Sequence, residues 1–371
     1  MRDLNKFKGC LIGGAVGDAL GYAVEFMPDH AILEKYGNNG ITEYELHNGI
    51  AEISDDTQMT MFTANGLLLG TTRGKLRGIM GPYSGYIAHC YGDWLRTQTE
   101  KFPLAEEFHY SWLVNVPELF SQRAPGKTCI SAIRQGACGT MEEPVNNSKG
   151  CGGIMRVAPI GLYFNDRRQT IQYVDRLGAE AAALTHGHEL GYLPAAAFVH
   201  IIQRVSGYGD TILEAVQDML DVIPTIFPNG EYLEKLMGLV YKATGLSQLG
   251  INDSEAIRQL GEGWVAEETL AIAVYCALKY SNNFEKGIIA SVNHSGDSDS
   301  TGAVTGNILG ASLGYGAIPE KFTERLELKE IIIELAEDLF YDCQISEYGH
   351  GDKVWESKYV DMTYRPNKKV K

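Results

Sequence analysis

Apolar residues recur every three to four positions in several long segments of the chain. The segments that predict helices cover residues 7–23, 59–69, 172–204, 264–280 and 329–341. The third segment is interrupted at 185–188 by a polar stretch, which indicates two helices joined by a loop. No segment shows the sustained two-residue alternation of a strand, so the pattern predicts a single all-α domain over residues 1–341. We expect a partly irregular C-terminal extension over residues 342–371.

Two of the predicted helices carry glycine at every fourth position. These glycines are Gly9, Gly13, Gly17 and Gly21 in the first helix and Gly302, Gly306, Gly310 and Gly314 near the C-terminal end. A glycine inside a helix costs about 1 kcal/mol relative to alanine, so two such ridges need a physical reason. Close approach of another backbone is the simplest reason. We therefore predict that the two helices lie in a tightly packed centre and pack against each other.

Two short acidic segments, far apart in the chain, stand directly before helix-like runs. The first is Ser54-Asp55-Asp56-Thr57 and the second is Gly296-Asp297-Ser298-Asp299-Ser300. Each segment alone is typical of a helix N-terminus, where unpaired N–H groups and the helix dipole stabilise carboxylates. If the two turns meet in space, four carboxylates share one pocket. Such a pocket needs counter-cations, and divalent ions with oxygen ligands are the usual solution.

Further candidate residues lie outside these turns. Asp18 and Glu25 are acids in apolar surroundings, and either helix capping or a functional site explains each of them. Asp93 follows an aromatic helical segment, where an acid is usually on the surface. The segment 146–161 contains a glycine-rich loop that suits a phosphate group, although a tight turn is the simpler explanation. Residues 30–52 carry turn signals and predict a loop.

Composition narrows the class of protein. The 371 residues are 44% hydrophobic and 21% charged, which is ordinary for a globular protein. The formal net charge of −15 argues against a nucleic-acid partner, because binding of nucleic acid normally needs a basic face. Seven cysteines without a CxxC motif suit a reducing compartment. No stretch is apolar enough to span a membrane, so we expect a cytoplasmic protein without a membrane partner.

Five motifs, in this order along the chain, resemble those of the ADP-ribosylglycohydrolases. They are Gly17-Asp18-Ala19-Leu20-Gly21 with Glu25, Ser54-Asp55-Asp56-Thr57, Gly152-Gly153-Ile154-Met155-Arg156, Thr185-His186 with Leu190-Gly191-Tyr192, and Gly296-Asp297-Ser298-Asp299-Ser300. The resemblance extends from about Lys6 to Ile318. Each motif alone is weak, whereas five in order are specific. The family includes the bacterial enzyme that reactivates dinitrogen reductase and the ADP-ribosylarginine and ADP-ribosylserine hydrolases.

The resemblance implies a compact orthogonal multi-helix bundle with two divalent ions, Mg²⁺ or Mn²⁺, at the floor of a cleft. The residues that match the metal ligands by position are Ser54, Asp55, Asp56, Asp297, Asp299 and Ser300. Ser54 and Ser300 depart from the family pattern, in which threonine is usual. Serine keeps the hydroxyl ligand but lacks the methyl group that restricts the rotamer. We therefore expect metal binding to survive with lower affinity.

The resemblance also implies roles for residues around the metals. The matching catalytic candidates are Glu25, which can approach the metals, Asp56, and Asp93, which stands where one branch of the family has an acid near the scissile bond. The matching substrate-binding residues are Ser148, Lys149, Gly150, Cys151, Gly152, Gly153, His186 and Tyr192. The first six form the loop that would cradle a diphosphate. The last two match the ribose and adenine side of the cleft.

The implied activity is metal-dependent removal of ADP-ribose from modified protein side chains, with arginine as the leading linked residue. Two metal ions can hold the ribose diol and orient a water while a carboxylate takes its proton. The partner would be an ADP-ribosylated protein or ADP-ribose, and we expect a monomer. A dinuclear-metal phosphohydrolase acting on nucleotides is one alternative. A non-catalytic ADP-ribose-binding or immunity protein that acts by occlusion is another, although all four metal-site carboxylates are present.

Overall fold

Helices joined by loops make up the described residues, 2–105, 108–346 and 351–366, of this computed structural model. The first helices are α1 (Leu4–Tyr22), α2 (Asp29–Tyr36), α3 (Asp55–Arg77), α4 (Tyr83–Thr99), α5 (Lys127–Arg134), α6 (Ala158–Tyr163), α7 (Ile171–Ala183) and α8 (Glu189–Gln203). The remaining helices are α9 (Ile212–Ile226), α10 (Leu233–Ser247), α11 (Asp253–Leu260), α12 (Ala266–Lys279), α13 (Phe284–Val292), α14 (Ser298–Leu313), α15 (Glu320–Thr323), α16 (Lys329–Tyr341) and α17 (Lys353–Tyr359). Short 3-10 and π turns occupy several of the connections.

The prediction of an all-α fold is confirmed. Within the described ranges the only extended pairing consists of isolated bridges, such as the one between Gly150 and Val265. One local prediction is wrong, because the stretch 30–52, predicted as a loop, begins with α2. Half of that helix is polar and it buries only Ile32, so its sequence carries little of the periodicity that signals a helix.

The centre of the fold is the antiparallel pair α1 and α14. A Cβ atom added to Gly13 would lie 2.3 Å from the carbonyl oxygen of Gly306, and one added to Gly310 would lie 1.9 Å from the carbonyl oxygen of Gly9. Real side-chain carbons do not approach a carbonyl oxygen this closely, so only glycine permits the contact. The prediction that the two glycine ridges pack against each other is confirmed.

The other helices surround this pair and bring two helix N-termini to one place. Helix α16 packs on α1, while α12 and α13 pack on α14. Helix α3 contacts both α1 and α14 and is itself covered by α4. Because α3 begins at Asp55 and α14 begins at Ser298, the packing around the central pair decides where both acidic turns lie.

The described part of the C-terminal extension packs against the domain. Helix α17 buries Trp355 and Tyr359, and Trp355 Nε1 donates to Thr72 Oγ1 of α3 at 3.0 Å. Residues 347–350 and the lysine-rich end 367–371 lie outside the described residues. The seven cysteines are free thiols. None of the helices in the described ranges combines the length and the apolar character that a membrane crossing requires.

Candidate active site

The two acidic turns meet. Ser300 Oγ, in the first turn of α14, donates a hydrogen bond to Asp56 Oδ2, in the first turn of α3, at 2.8 Å. Both residues are buried. The contact joins residues 244 positions apart, and it brings Asp55, Asp56 and Asp299 together at the bottom of one cleft, which we call the floor. Helix capping alone does not account for such a meeting, because a cap acts within its own helix.

Asp18 of α1 holds the first turn in place. Its carboxylate accepts hydrogen bonds from the backbone N–H of Ser54, at 3.0 and 3.1 Å to the two oxygens, and from that of Thr57 at 3.1 Å. The Thr57 hydroxyl also donates to Asp18 Oδ2. Asp18 is fully buried, and burial raises its pKa to about 6. The acid that interrupts the apolar first helix therefore anchors the start of α3.

Ser54 and Asp297 cap the two helices. Ser54 Oγ accepts the N–H of Asp56 at 3.2 Å, and Asp297 Oδ1 accepts the N–H of Ser300 at 3.2 Å. The second turn depends on Gly296, whose φ of +130° falls in a region that favours glycine. A Cβ atom on Gly296 would lie 1.9 Å from the carbonyl oxygen of Glu262. The sequence Gly-Asp thus fixes the direction of Asp297.

The floor belongs to a cleft with a volume of about 680 Å³. Its acidic lining consists of Glu25, Asp55, Asp56, Asp297 and Asp299, with Ser300 beside them. Glu25 follows α1, so three separate parts of the chain supply these carboxylates. Gly150, Cys151, Gly152 and His186 line the same cleft. The structure therefore brings most of the residues that were predicted for the site into one cavity.

Crowding of buried acids makes the floor strongly unfavourable for negative charge. Burial, together with the charges of Asp18 and Asp297, raises the pKa of Asp55 to about 8. Burial and the charges of neighbouring carboxylates raise the pKa values of Asp56 and Asp299 well above the usual range. Glu25 has its pKa raised to about 8 by burial and by neighbouring carboxylates. A bound cation would relieve this repulsion.

The donor atoms suit a hard divalent ion in type. Carboxylate and hydroxyl oxygens are the ligands that Mg²⁺ and Mn²⁺ take in proteins. Glu25 Oε2 is buried and has no hydrogen-bond partner, so this acceptor is available. Within the described ranges, no group of three or more acidic, histidine or cysteine side chains already converges as a metal site does. The floor thus supplies suitable ligands without showing a finished coordination shell.

The loop predicted to cradle a diphosphate forms one wall of the cleft. Its backbone is fixed on the segment before α12, because Cys151 N–H donates to Trp264 O at 3.3 Å and Lys149 O accepts the N–H of Ala266 at 2.9 Å. Cys151 Sγ lies 2.7 Å from Asp297 Oδ2, which ties the loop to the floor. The loop and the second acidic turn are therefore neighbours.

Three members of this loop have other contacts. The Ser148 hydroxyl accepts the N–H of Gly150 at 3.3 Å and so shapes the turn. Lys149 Nζ lies 2.7 Å from Glu267 Oε1, in an ion pair outside the cleft lining. Gly153 packs on α8, where a Cβ atom would lie 2.8 Å from the carbonyl oxygen of Gly191. These residues shape the loop, whereas Gly150, Cys151 and Gly152 face the cavity.

His186 lines the cleft as a neutral imidazole. Burial and the nearby Arg156 lower its pKa to about 3. Its Nδ1 lies 2.8 Å from Thr185 Oγ1, which accepts a hydrogen bond from Arg156 Nη2 at 2.6 Å. We assign the hydroxyl proton of Thr185 to His186 Nδ1, since Arg156 already donates to that oxygen. His186 Nε2 then carries a proton that it can donate to a ligand.

Comparison with known proteins identifies relatives that match about nine-tenths of this chain. An uncharacterized protein of Archaeoglobus fulgidus is 28% identical over 352 residues, which cover 90% of this chain and 96% of that protein. The ADP-ribosylhydrolase ARH3 of Mus musculus is 23% identical, over 91% of this chain and 92% of its own length. The ADP-ribosylarginine hydrolase Tri1 of Pseudomonas putida is 25% identical, over 91% of this chain and 78% of its own length.

The fold and the sequence profile agree with these relatives. The solved structure of an ADP-ribosylglycohydrolase-related protein complex shares the fold with a TM-score of 0.61, at 22% identity, over 91% of this chain and 98% of that one. A sequence model of the ADP-ribosylglycohydrolase family matches residues 1–348. The chain belongs to the ADP-ribosylglycohydrolase family. It is therefore a glycohydrolase.

Asp93 and Tyr192 were also predicted for the site of this ADP-ribosylglycohydrolase, but neither lines the cleft, and the same holds for Ser54, Ser148, Lys149 and Gly153. Asp93, in α4, accepts the N–H groups of Tyr110 at 2.6 Å and Ser111 at 2.8 Å, both at Oδ2. Its carboxylate anchors the loop after α4, and its predicted place near the reacting bond stays a prediction. Tyr192 is buried on α8 and is also absent from the lining, so its predicted place near the adenine stays a prediction.

Sequence reasoning missed other residues that line the cleft of this ADP-ribosylglycohydrolase. Phe26 and Trp264 stack on each other at the cleft, and Lys127 begins α5 there. The only sequence signal for Phe26 was its position after Glu25. Trp264 was predicted to be the start of a helix, whereas α12 begins two residues later. No periodic pattern marks such loop residues, because tertiary packing alone brings them to the cleft.

Proposed function

We propose that this ADP-ribosylglycohydrolase hydrolyses the glycosidic bond between ADP-ribose and a modified protein side chain, with arginine as the linked residue. The observation that carries the proposal is the meeting of the two acidic turns at Ser300 and Asp56, beside the loop that contains Gly150 and Gly152. A cleft with acids at its floor and a glycine loop on its wall suits a ribose joined to a diphosphate. The relative named ADP-ribosylhydrolase ARH3 supports removal of ADP-ribose, and the relative named ADP-ribosylarginine hydrolase Tri1 supports arginine as the linked residue.

The acids would hold two divalent ions, Mg²⁺ or Mn²⁺. The residues that would hold them are Ser54, Asp55, Asp56, Asp297, Asp299 and Ser300. When bound, such ions orient a water and bind the ribose hydroxyls. Raised carboxyl pKa values support the proposal, since buried and crowded carboxylates favour the binding of a cation. The hydroxyls of Ser54 and Ser300 bond within the floor, and each keeps a lone pair that it could offer to an ion.

Residues of the chain can accept the proton of the attacking water and bind the ribose and the diphosphate. Glu25 lies at the floor with an unpartnered buried oxygen, which suits a group that accepts the proton of an attacking water. His186 Nε2–H can donate to a ribose or phosphate oxygen. Gly150 and Gly152 line the cleft without side chains, which suits close approach of a diphosphate to the backbone. Only glycine fits at 152, since a Cβ atom there would lie 2.8 Å from Cys129 Sγ. Asp93 has no part in this scheme.

The direct test is release of free ADP-ribose from an ADP-ribosylarginine protein in the presence of Mg²⁺, followed by chromatography. Asp55→Asn and Asp299→Asn should each lower the rate at least about a hundredfold and weaken Mg²⁺ binding in calorimetry. Asp361→Asn, a change at an exposed acid, should leave both unchanged. Absence of ADP-ribose release while Mg²⁺ binds would refute the proposal. Release of inorganic phosphate from a nucleotide would favour a phosphohydrolase instead.

A further inference from the structure

Phe26 is an aromatic residue held in an unusual position at the cleft. It is 68% exposed, although it lines the cleft that contains the acidic floor. Its φ of +66° lies in the left-handed region, which costs a bulky residue about 1–2 kcal/mol. Residues kept in such conformations cluster at functional sites, where the surrounding structure supports them. The exposure and the backbone conformation together point to a role for this ring.

Trp264 supports the ring of Phe26 from one side. The ring centroids are 5.2 Å apart and the ring planes differ by 22°, so the two rings are stacked. The position of Trp264 is fixed, because its carbonyl oxygen accepts the N–H of Cys151 from the glycine loop. With one face against Trp264 and most of its surface exposed, Phe26 offers the other face to a ligand. We call this pair, Phe26 and Trp264, the aromatic rim.

The surroundings of the aromatic rim favour a cation with N–H donors. Glu25 precedes Phe26, and its Oε2 is buried without a hydrogen-bond partner. Asp297 and Asp55 line the same cleft as Glu25 and Phe26. A planar guanidinium binds well on an aromatic face and carries several N–H donors. A serine joined through its oxygen has neither the charge nor these donors.

We propose that the aromatic rim binds the guanidinium of the linked arginine and makes the enzyme prefer ADP-ribosylarginine to ADP-ribosylserine. The inference rests on the proposed function, since it concerns the group that leaves from the same site. The guanidinium stacks on the open face of Phe26, beside the acidic lining of the cleft. Phe26 is thus a specificity-determining residue, and Trp264 is the residue that positions it.

The test compares two peptides of one sequence that carry ADP-ribose on arginine or on serine. Phe26→Ala removes the ring. Positive φ is unfavourable for alanine as it is for phenylalanine, so the conformational energy of the backbone at this position changes little. It should lower kcat/KM for the arginine peptide roughly fivefold to thirtyfold and change that for the serine peptide less than about twofold. Phe26→Tyr should retain the preference. Phe108→Ala, at a ring that is 66% exposed elsewhere, is the matched control.

Several results would overturn the inference. One is an equal loss on both peptides, and another is a wild-type preference for the serine peptide. A third is weaker binding of free ADP-ribose by Phe26→Ala in calorimetry, which would show that the ring stacks on adenine. If wild-type protein hydrolyses neither peptide, the proposed function fails. The dissociation constants of the two peptides for wild type and Phe26→Ala then decide the inference separately.

Discussion

Gly17 of α1 and Gly302 of α14 lie so close that a Cβ atom on Gly17 would be 1.9 Å from the carbonyl oxygen of Gly302. The contact puts the last turns of α1 beside the first turns of α14. Asp18 is the neighbour of Gly17 in sequence, and Ser300 stands two residues before Gly302. One backbone contact therefore sets the separation between the residue that anchors the first acidic turn and the start of the second.

The first prediction concerns this contact. Gly17→Ala or Gly302→Ala should reduce the free energy of unfolding by about 3 kcal/mol or more, at the upper end of overpacking effects, because neither backbone can retreat from a packed centre. Gly238→Ala is the control. Gly238 lies on the exposed side of α10 with nothing near its added Cβ atom, so alanine there should stabilise by up to about 1 kcal/mol. Denaturant unfolding measures all three variants.

A loss below about 1 kcal/mol in both central variants would contradict the packing. Such a result would mean that α1 and α14 can separate without cost. Activity gives a second reading of the same contact, since a displaced α14 would move Ser300 away from Asp56. We expect the central variants to lose ADP-ribose release even where they remain folded, while Gly238→Ala retains it.

The packing at the centre of the fold was predictable because the two glycine ridges that allow it are visible in the sequence. Glycine at every fourth position of a helix has a cost and few explanations, so two such ridges indicate close backbone contact. The acidic turns were recognisable as helix starts for a similar reason. Whether they meet was not predictable from either turn alone. That conclusion needed the ordered motifs and, finally, the hydrogen bond between Ser300 and Asp56.

Residues that act through tertiary contacts were harder to predict. Asp18 interrupts an apolar helix, but its partners Ser54 and Thr57 become neighbours only after folding. The backbone of Phe26 itself adopts a left-handed conformation at the cleft, and a helical pattern of apolar residues does not predict such a conformation. Asp93 has structural partners that the sequence did not indicate. A plausible position in the family pattern suggested catalysis, whereas two backbone N–H groups use its carboxylate.

The second prediction tests the structural role of Asp93. Asp93→Asn can keep one oxygen facing the N–H groups of Tyr110 and Ser111, so kcat should stay within about twofold of wild type. Asp93→Ala leaves both buried N–H groups without an acceptor and should cost about 2–4 kcal/mol of stability. A loss of kcat by tenfold or more in a stable Asp93→Asn variant would show that Asp93 takes part in catalysis.

The third prediction follows from the pKa of Asp93, which burial raises to about 6. An unfolded aspartate releases its proton near pH 4, so the folded state holds a proton that the unfolded state has lost. The wild-type stability from this group therefore falls as pH rises from about 4 to about 6. Asp93→Asn has no such titration. Urea unfolding at several pH values should show that the free energy of unfolding of Asp93→Asn rises relative to that of wild type between about pH 4 and about pH 6. A difference between the two proteins that stays constant with pH would contradict the pKa shift.

The fourth prediction tests how firmly the C-terminal extension is attached. Trp355 of α17 is 5% exposed, and its indole N–H donates to Thr72. Trp355→Ala should cost about 3–5 kcal/mol, as expected for removing a buried aromatic ring. Val354, the preceding residue, is 49% exposed, and Val354→Ala should stay within about 0.5 kcal/mol of wild type. Equal stability of the two variants would show that α17 does not belong to the folded domain.

The fifth prediction concerns Asp18, which holds the first acidic turn without lining the cleft. Its carboxylate accepts from the N–H groups of Ser54 and Thr57 and from the Thr57 hydroxyl. In Asp18→Asn one of these acceptor atoms becomes a donor and faces N–H groups, which should cost about 1–3 kcal/mol. The displaced turn should also bind Mg²⁺ about tenfold to a hundredfold more weakly, as when other residues behind metal ligands are changed.

Thr57→Val is the matched control for Asp18→Asn. It removes the hydroxyl donor but leaves the two backbone donors, so the turn should keep its place with a loss of about 1 kcal/mol or less. Calorimetric Mg²⁺ titration and denaturant unfolding of both variants separate the two effects. If Asp18→Asn binds Mg²⁺ as wild type does, the position of Asp55 and Asp56 does not depend on α1. The link from the glycine-packed centre to the acidic floor would then be absent.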